Sequence, residues 1–345
     1  MTFADELKSA VTPRAALLVV GVLALQLLFI ASYVGALHHP KPKDVAFGVV
    51  APGAAAVQTK DKLAKLPGEP LDPRVVKDEA AARRQIMDRK IDGALIVDPR
   101  GTTDTLLVAS GGGKALANAL ELIAVKADGA EKRAVKTVDV AAASPQDFNG
   151  LSSFYLVVGW CVGGYLCASI MSISAGSKVA NPQRAAIRLG AMALLSLAGG
   201  LGGALIIGPI LGALPGSIMA LWGLGALVTF AVGAFTLALE AITGVVGIGL
   251  AVLVIVVAGN PSAGGAFPLP MLPPFWEAIG PALPPGAGTW VARSIAYFQG
   301  NAVTGPLLVL AAWAVAGTAV TLLVAVRRTR GQEAAGRADT SPSGV

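Results

Sequence analysis

Six stretches of this chain are each apolar over the length a helix needs to cross a bilayer, and no other feature constrains the fold as strongly. A hydrocarbon core of about 30 Å takes about 20 apolar helical residues. Residues 15–37, 153–175, 189–214, 217–239, 241–258 and 304–326 meet that requirement. The fourth and fifth stretches are separated only by Glu240, and one helix through both would be about twice the needed length. A tight reversal near Thr243 and Gly244 is therefore expected. Lys8 and Arg14 ahead of the first stretch, with Gly35 and Ala36 at its end, outline a signal peptide. Signal-peptide apolar cores run only about 7 to 15 residues, so this stretch reads as an uncleaved anchor.

Charge is concentrated elsewhere. Of the 27 basic and 21 acidic residues, 17 and 15 respectively lie within residues 38–150. That block is nearly neutral and water-soluble, while the rest of the chain is almost uncharged. Only 14% of the residues are charged, against about 25% in ordinary soluble domains, which argues against disorder, a nucleic-acid-binding domain and a cytosolic enzyme. Lys178, Arg184 and Arg188 sit in one short loop and Arg327, Arg328 and Arg330 follow the last stretch. Basic residues in short loops stay cytoplasmic, so six spans place both termini inside and residues 38–150 and 259–303 outside. The expected organisation is a cytoplasmic amphipathic start at 1–14, helix 1 at 15–37, and an extracytoplasmic domain at 38–150. Helices 2–6 follow within 151–326, and a cytoplasmic tail at 327–345, in a multi-pass protein of the plasma membrane.

The outside block reads as mixed α/β. Strands are expected over 45–50, 93–97, 105–109 and 135–140, and helices over 57–66 and 114–126, with a charged helix opened by Asp72 and Pro73 that runs through Ile91. Ser110-Gly111-Gly112-Gly113-Lys114 has the look of a phosphate loop, but lacks the earlier Gly and the following Ser or Thr that a Walker A motif requires. It reads as a strand-to-helix turn, so the chain carries no ATPase of its own. Asn260-Pro261-Ser262 fails as a glycosylation site because of its central Pro and reads as an exit turn. His38 and His39 stand alone as a linker, and Cys161 and Cys167 both fall in an apolar stretch, which leaves no disulfide framework. No cofactor or metal site is expected.

Three features in the apolar half attract a functional reading. Glu240 is its one charge outside the loops, and an intramembrane carboxylate suggests a proton or substrate site. A helix-to-helix turn at the N-terminus of the fifth helix, where the dipole favours negative charge, is the plainer account. Gly199, Gly200, Gly202, Gly203 and Gly208, with Pro209, suit either close helix packing or a conduit. The stretch from Phe267 to Asn301 alternates prolines with aromatics, and Trp276, Pro281, Pro284 and Trp290 make it a candidate exit gate as well as an interfacial belt.

One anchor helix, a large outside α/β domain, then five helices with a Pro-rich outer hairpin before the last resembles the type-2 ABC transporter permeases, in the branch of phage-infection-like membrane proteins. Val45-Ala46-Phe47-Gly48-Val49-Val50 and Asp92-Gly93-Ala94-Leu95-Ile96-Val97-Asp98-Pro99 look like that family's outside domain. Leu272-Pro273-Pro274-Phe275-Trp276 and Leu283-Pro284-Pro285-Gly286, ahead of Arg293, look like its last outer loop. The resemblance implies a permease that forms homo- or heterodimers and exports a lipid or amphipathic substrate, with ATP hydrolysed by a separate ABC ATPase chain. It implies docking of that ATPase on the loop carrying Lys178, Asn181, Pro182, Arg184 and Arg188, and an amphipathic helix at Phe3 to Val11 on the inner membrane surface. A membrane scaffold or receptor that displays residues 38–150 is the rival expectation, from a different class.

Overall fold

The computed structural model describes residues 12–176 and 181–339. The amphipathic start expected over residues 3–11, and Lys178, lie outside the described residues. The first helix, α1 (Pro13–Leu37), begins where Thr12 accepts the Ala15 N–H on its Oγ1 at 3.1 Å, and Pro13 supplies a preset helical φ at the first position. Most of its side chains, Leu17 and Val19 among them, are exposed apolar surface.

A five-stranded mixed sheet follows. Its elements are β1 (Val45–Val50), α2 (Ala54–Ala64), β2 (Leu71–Val75), α3 (Glu79–Met87), β3 (Gly93–Ile96), β4 (Thr103–Val108), α4 (Lys114–Gly129) and β5 (Ala134–Asp139). The spatial order is β2-β1-β3-β4-β5, antiparallel only between β3 and β4. Period-two alternation divides the apolar residues between two faces. Val45, Phe47, Val49, Leu95, Leu106 and Val108 pack under α2 and α4, while Ala94 and Leu107 meet Ala82 and Ile86 of α3. Asp104 of β4 receives a fork of hydrogen bonds from Arg133, with Nε at 2.7 Å, and this pins the α4–β5 connection to the sheet.

The charged helix expected from Asp72 does not exist as one element. Residues 71–75 form the edge strand β2, where Pro73 is tolerated because an edge strand need not donate on both sides. The helix begins only after Asp78, whose carboxylate accepts the Ala81 N–H at 2.7 Å.

The remaining chain is helical. Asp147 Oδ1 accepts the N–H groups of Leu151 and Ser152, both at 3.0 Å, at the start of α5 (Ser152–Ala175). α6 (Pro182–Leu205) is capped by Asn181, which accepts the Arg184 N–H at 2.9 Å. It therefore starts seven residues earlier than the apolar stretch does, and ends in a π-type turn, Ile206–Ile210, around Pro209. There the Leu211 N–H reaches the Ile206 carbonyl at 3.0 Å, the shift in hydrogen bonding that a missing proline donor provokes.

α7 (Ile218–Thr243) is the hub, packed against α5 and α6 and against the last helix of the chain. The expected reversal falls at Gly244, with φ of 70°. α8 (Val246–Val252) then extends through a π-type stretch and the turn Asn260–Ser262 as one shorter apolar helix, Val246–Ser262. The exit turn expected at Asn260 is thus still helical, and the chain leaves it at Gly264, with φ of 69°. The Pro-rich segment comprises a 3-10 turn at Leu269–Met271, α9 (Pro274–Ile279), a second 3-10 turn at Gly280–Ala282, and α10 (Pro284–Tyr297). α11 (Thr304–Asp339) closes the bundle.

Five of these helices, among the described residues, are long and apolar enough to cross a membrane: Ala15–Leu37, Ser152–Ala175, Pro182–Ile210, Ile218–Thr243 and Thr304–Glu333. The protein is therefore read as a polytopic membrane protein. The fifth expected stretch is the shorter Val246–Ser262, about 25 Å long at 1.5 Å per residue.

Glu240 is not at a helix N-terminus. α7 continues past it to Thr243, so the residue occupies the last turn, where the dipole opposes a negative charge. It is 1% exposed, its Oε2 accepts from the Ser172 hydroxyl, and its Oε1 has no partner among the described residues.

Candidate functional site

The Pro-rich segment lies against the sheet domain and completes it. Met271 joins the core formed by Phe47, Leu95 and Leu120, and the Lys43 N–H reaches the Pro270 carbonyl at 2.9 Å. Ser110–Gly112 forms the short turn expected before α4, and its glycines admit the segment to close range. A Cβ at Gly111 would collide with the Tyr297 ring, and one at Gly113 with Pro268. Between the sheet domain and this segment a cavity of about 620 Å³ remains. That is the size of a site for a drug-sized molecule, about 300–1,000 Å³.

The turn between α3 and β3 forms one wall. Arg89 has φ of 57°, a left-handed conformation that a residue with a Cβ adopts at some cost and keeps only where its surroundings fix it. Here they do. Its Nη1 donates to the Trp290 carbonyl at 3.0 Å and to the Ser294 hydroxyl at 2.8 Å, and the guanidinium carbon lies 3.3 Å from the centre of the Trp290 ring. Burial, with the Arg293 charge adding to it, lowers the Arg89 pKa to about 9, so the side chain is still a cation at neutral pH. Asn301 Nδ2 donates to the Met87 carbonyl at 3.1 Å, a second tie between the same turn and the end of α10.

Asp92 enters β3 with its N–H on the Ala46 carbonyl at 2.8 Å. Asp92 lines the cavity, and burial pushes its pKa up to about 6 against the lowering influence of Arg89. Glu277 of α9 lines the same cavity and is also raised, first by burial and then by Asp44, with Lys43 opposing. Arg293 is fixed by carbonyls: Nη1 on Gly264 at 2.7 Å, and Nη2 on Gly265 at 2.7 Å and Gly150 at 3.3 Å. It joins the end of the sheet domain to the exit of α8 and acts as a structural cation.

Of the four residues expected at an exit gate, Pro281 and Trp290 line this cavity. Pro284 is buried at the start of α10, and Trp276 stands edge-on to Phe275, with ring centres 5.1 Å apart. The four therefore belong to one segment but do not converge on one point. Sequence reading missed Arg89, Asp92 and Glu277. Charged positions inside a soluble block carry no mark that one turn of that block will face the membrane half.

The expected coupling residues separate as well. Asn181 and Pro182 start α6, and Arg184 is exposed. Arg188 is buried and donates to the Ala175 and Gly176 carbonyls, at 3.1 and 2.6 Å, closing the C-terminal end of α5. Arg328 of α11 donates to the Ala241 carbonyl at the same end of the bundle. The Gly-rich helix shows the close packing expected of it and borders a groove. Gly200 meets the α7 backbone, where a Cβ would lie 2.6 Å from the Ala226 nitrogen, while Gly199 and Gly203 border an apolar groove of about 520 Å³ between α5 and α6.

No family model, no curated protein and no solved structure matches this chain.

Proposed function

We propose that this chain is the membrane-embedded permease subunit of an exporter that moves a hydrophobic or amphipathic molecule across or out of the plasma membrane, driven by a separate ATPase chain. The observation that carries the reading is the cavity of about 620 Å³ held between the sheet domain and the Pro-rich segment. Its walls combine apolar side chains with a few charged ones, the lining of a site for an amphipathic molecule. In this reading Val246–Ser262 is the sixth span, because 17 residues is the lower end of what crosses a bilayer. Both termini are cytoplasmic, and residues 38–150 and 259–303 are outside. Arg184, exposed at the first turn of α6, faces the ATPase, and two permeases pair to form the transport path.

The full chain, purified in mild detergent from its native membrane, should carry with it a chain that hydrolyses ATP, in a fixed ratio through gel filtration. Arg184→Glu should release that chain without altering membrane insertion. Recovery of the protein with no associated ATP hydrolysis would support a scaffold that displays its outer domain.

A further inference from the structure

The charged groups lining the cavity differ in whether they are already engaged. Arg89 is bound by the Trp290 carbonyl and the Ser294 hydroxyl, Lys90 by Asp88 at 3.0 Å, and Arg293 by three carbonyls. Asp92 and Glu277 form no side-chain hydrogen bond or ion pair among the described residues. These two acids come from separate places, the turn before β3 and α9, and line a space whose other walls include Leu269, Pro281 and Trp290. Taking a carboxylate out of water costs free energy unless a cation meets it, while apolar walls favour apolar surface. Burial is the largest cause of the raised pKa of both acids, opposed by the Arg89 charge at Asp92 and by Lys43 at Glu277, where Asp44 adds to it. The guanidinium of Arg89, stacked on Trp290 and with its Nη1 on two acceptors, is the less available group for an incoming anion.

We propose that the cavity binds an amphipathic organic cation, with its positive centre on Asp92 under the added negative potential of Glu277 and its apolar body against Leu269, Pro281 and Trp290. This assignment rests on the reading of the cavity as the ligand site of a transport subunit, and it names the class of ligand.

Tetraphenylphosphonium and tetraphenylborate have nearly the same shape and opposite charge, so the pair isolates charge from hydrophobicity. With the full chain in lipid nanodiscs, and empty nanodiscs as the blank, the phosphonium ion should bind saturably at pH 7.5, and the borate, titrated in a separate sample, should not. Asp92→Asn should weaken phosphonium binding about tenfold or more, as loss of a close, partly buried charge contact implies. Glu277→Gln should weaken it less. Saturable borate binding in place of phosphonium binding, or no saturable phosphonium binding at all, overturns the proposal. So does an Asp92→Asn protein that elutes as a single species and binds phosphonium as tightly as the parent. The comparison of the two ions on the unmodified chain stands even if a variant misfolds. Because no ATPase is needed for binding, the outcome is separate from the co-purification test. Phosphonium binding without an ATPase would retain the ligand class and remove the transport reading, and the converse result would do the opposite.

Discussion

The guanidinium of Arg89 stacks on the indole of Trp290, 3.3 Å from its ring centre, across 201 positions of sequence. This contact and its two hydrogen bonds hold the α3–β3 turn of the sheet domain to α10. Domain and helix are therefore expected to move as one body.

Arg89→Ala should release that contact. Two hydrogen bonds from a charged group and one cation–π pair are lost, at a cost of about 3 kcal/mol or more, and Ala, which keeps its Cβ, leaves the left-handed strain in place. Amide hydrogen exchange should accelerate in residues 88–92 and 290–301 while the sheet core stays protected. Unchanged protection in both segments would mean that the clamp does not hold the two together.

Asp92 gives a pH dependence of definite sign. Its folded pKa of about 6 lies above the ordinary carboxylate value, so between about pH 4 and 6 the native state binds more protons than the unfolded chain. Its contribution to stability accordingly declines as pH rises through that window. Arg89 opposes the shift, and Lys90, Arg293 and Glu277 line the same cavity. Melting should show Asp92→Asn raising stability at pH 7.5 and leaving it nearly unchanged at pH 4. An equal effect at both pH values would contradict this account.

Gly111→Ala should weaken the seat of α10 on the sheet domain, since the new methyl group meets the Tyr297 ring and lies 2.8 Å from the Ala141 carbonyl oxygen. Overpacking of this kind costs about 1–3 kcal/mol. Gly129→Ala, where nothing lies within 4 Å of the added Cβ, is the control and should be neutral or mildly stabilising. Equal melting temperatures for the two variants would refute the close approach.

Arg184 and Arg188 should behave differently, although four residues apart on one helix. Arg184→Ala, at an exposed site, should leave melting within about 0.5 kcal/mol of the parent. Arg188→Ala, which strips the carbonyls of Ala175 and Gly176 of their donor, should lower it clearly. ATPase association should track Arg184→Glu alone. If Arg188→Ala melts like the parent, its role at the end of α5 is wrong.

Sidedness is tested by thiol labelling. In a background where Cys161 and Cys167 are replaced by Ala, Lys77→Cys should react with a membrane-impermeant maleimide in intact cells and Gln183→Cys only after lysis. The opposite pattern would invert the proposed orientation.

The membrane helices were legible because span length is a physical requirement that composition alone reveals, and Gly244 marked the reversal. The strands at 45–50 and 93–97 were legible as short apolar runs. β2 was not, because Asp72-Pro73 also fits the start of a helix, and only pairing with β1 decides between them. Glu240 was misplaced by one helix turn, which was enough to put it at the wrong pole of the dipole. The cavity was half legible: Pro281 and Trp290 stood out by composition, whereas Arg89 and Asp92 acquire their meaning only from the docking of one domain on a segment about 200 residues away.

The central position of α7 bears on how the chain is made. Its neighbours α5 and α6 are synthesised before it, but α11, whose Trp313 meets Phe235 edge to face at 4.6 Å, emerges only after the whole Pro-rich segment. Until then one side of the hub faces lipid or an insertion factor, with the close seat at Gly317 still vacant, where α11 later lies against the Phe235 backbone. A nascent chain interrupted before residue 304 would thus leave this seam open, and only the synthesis of α11 closes it.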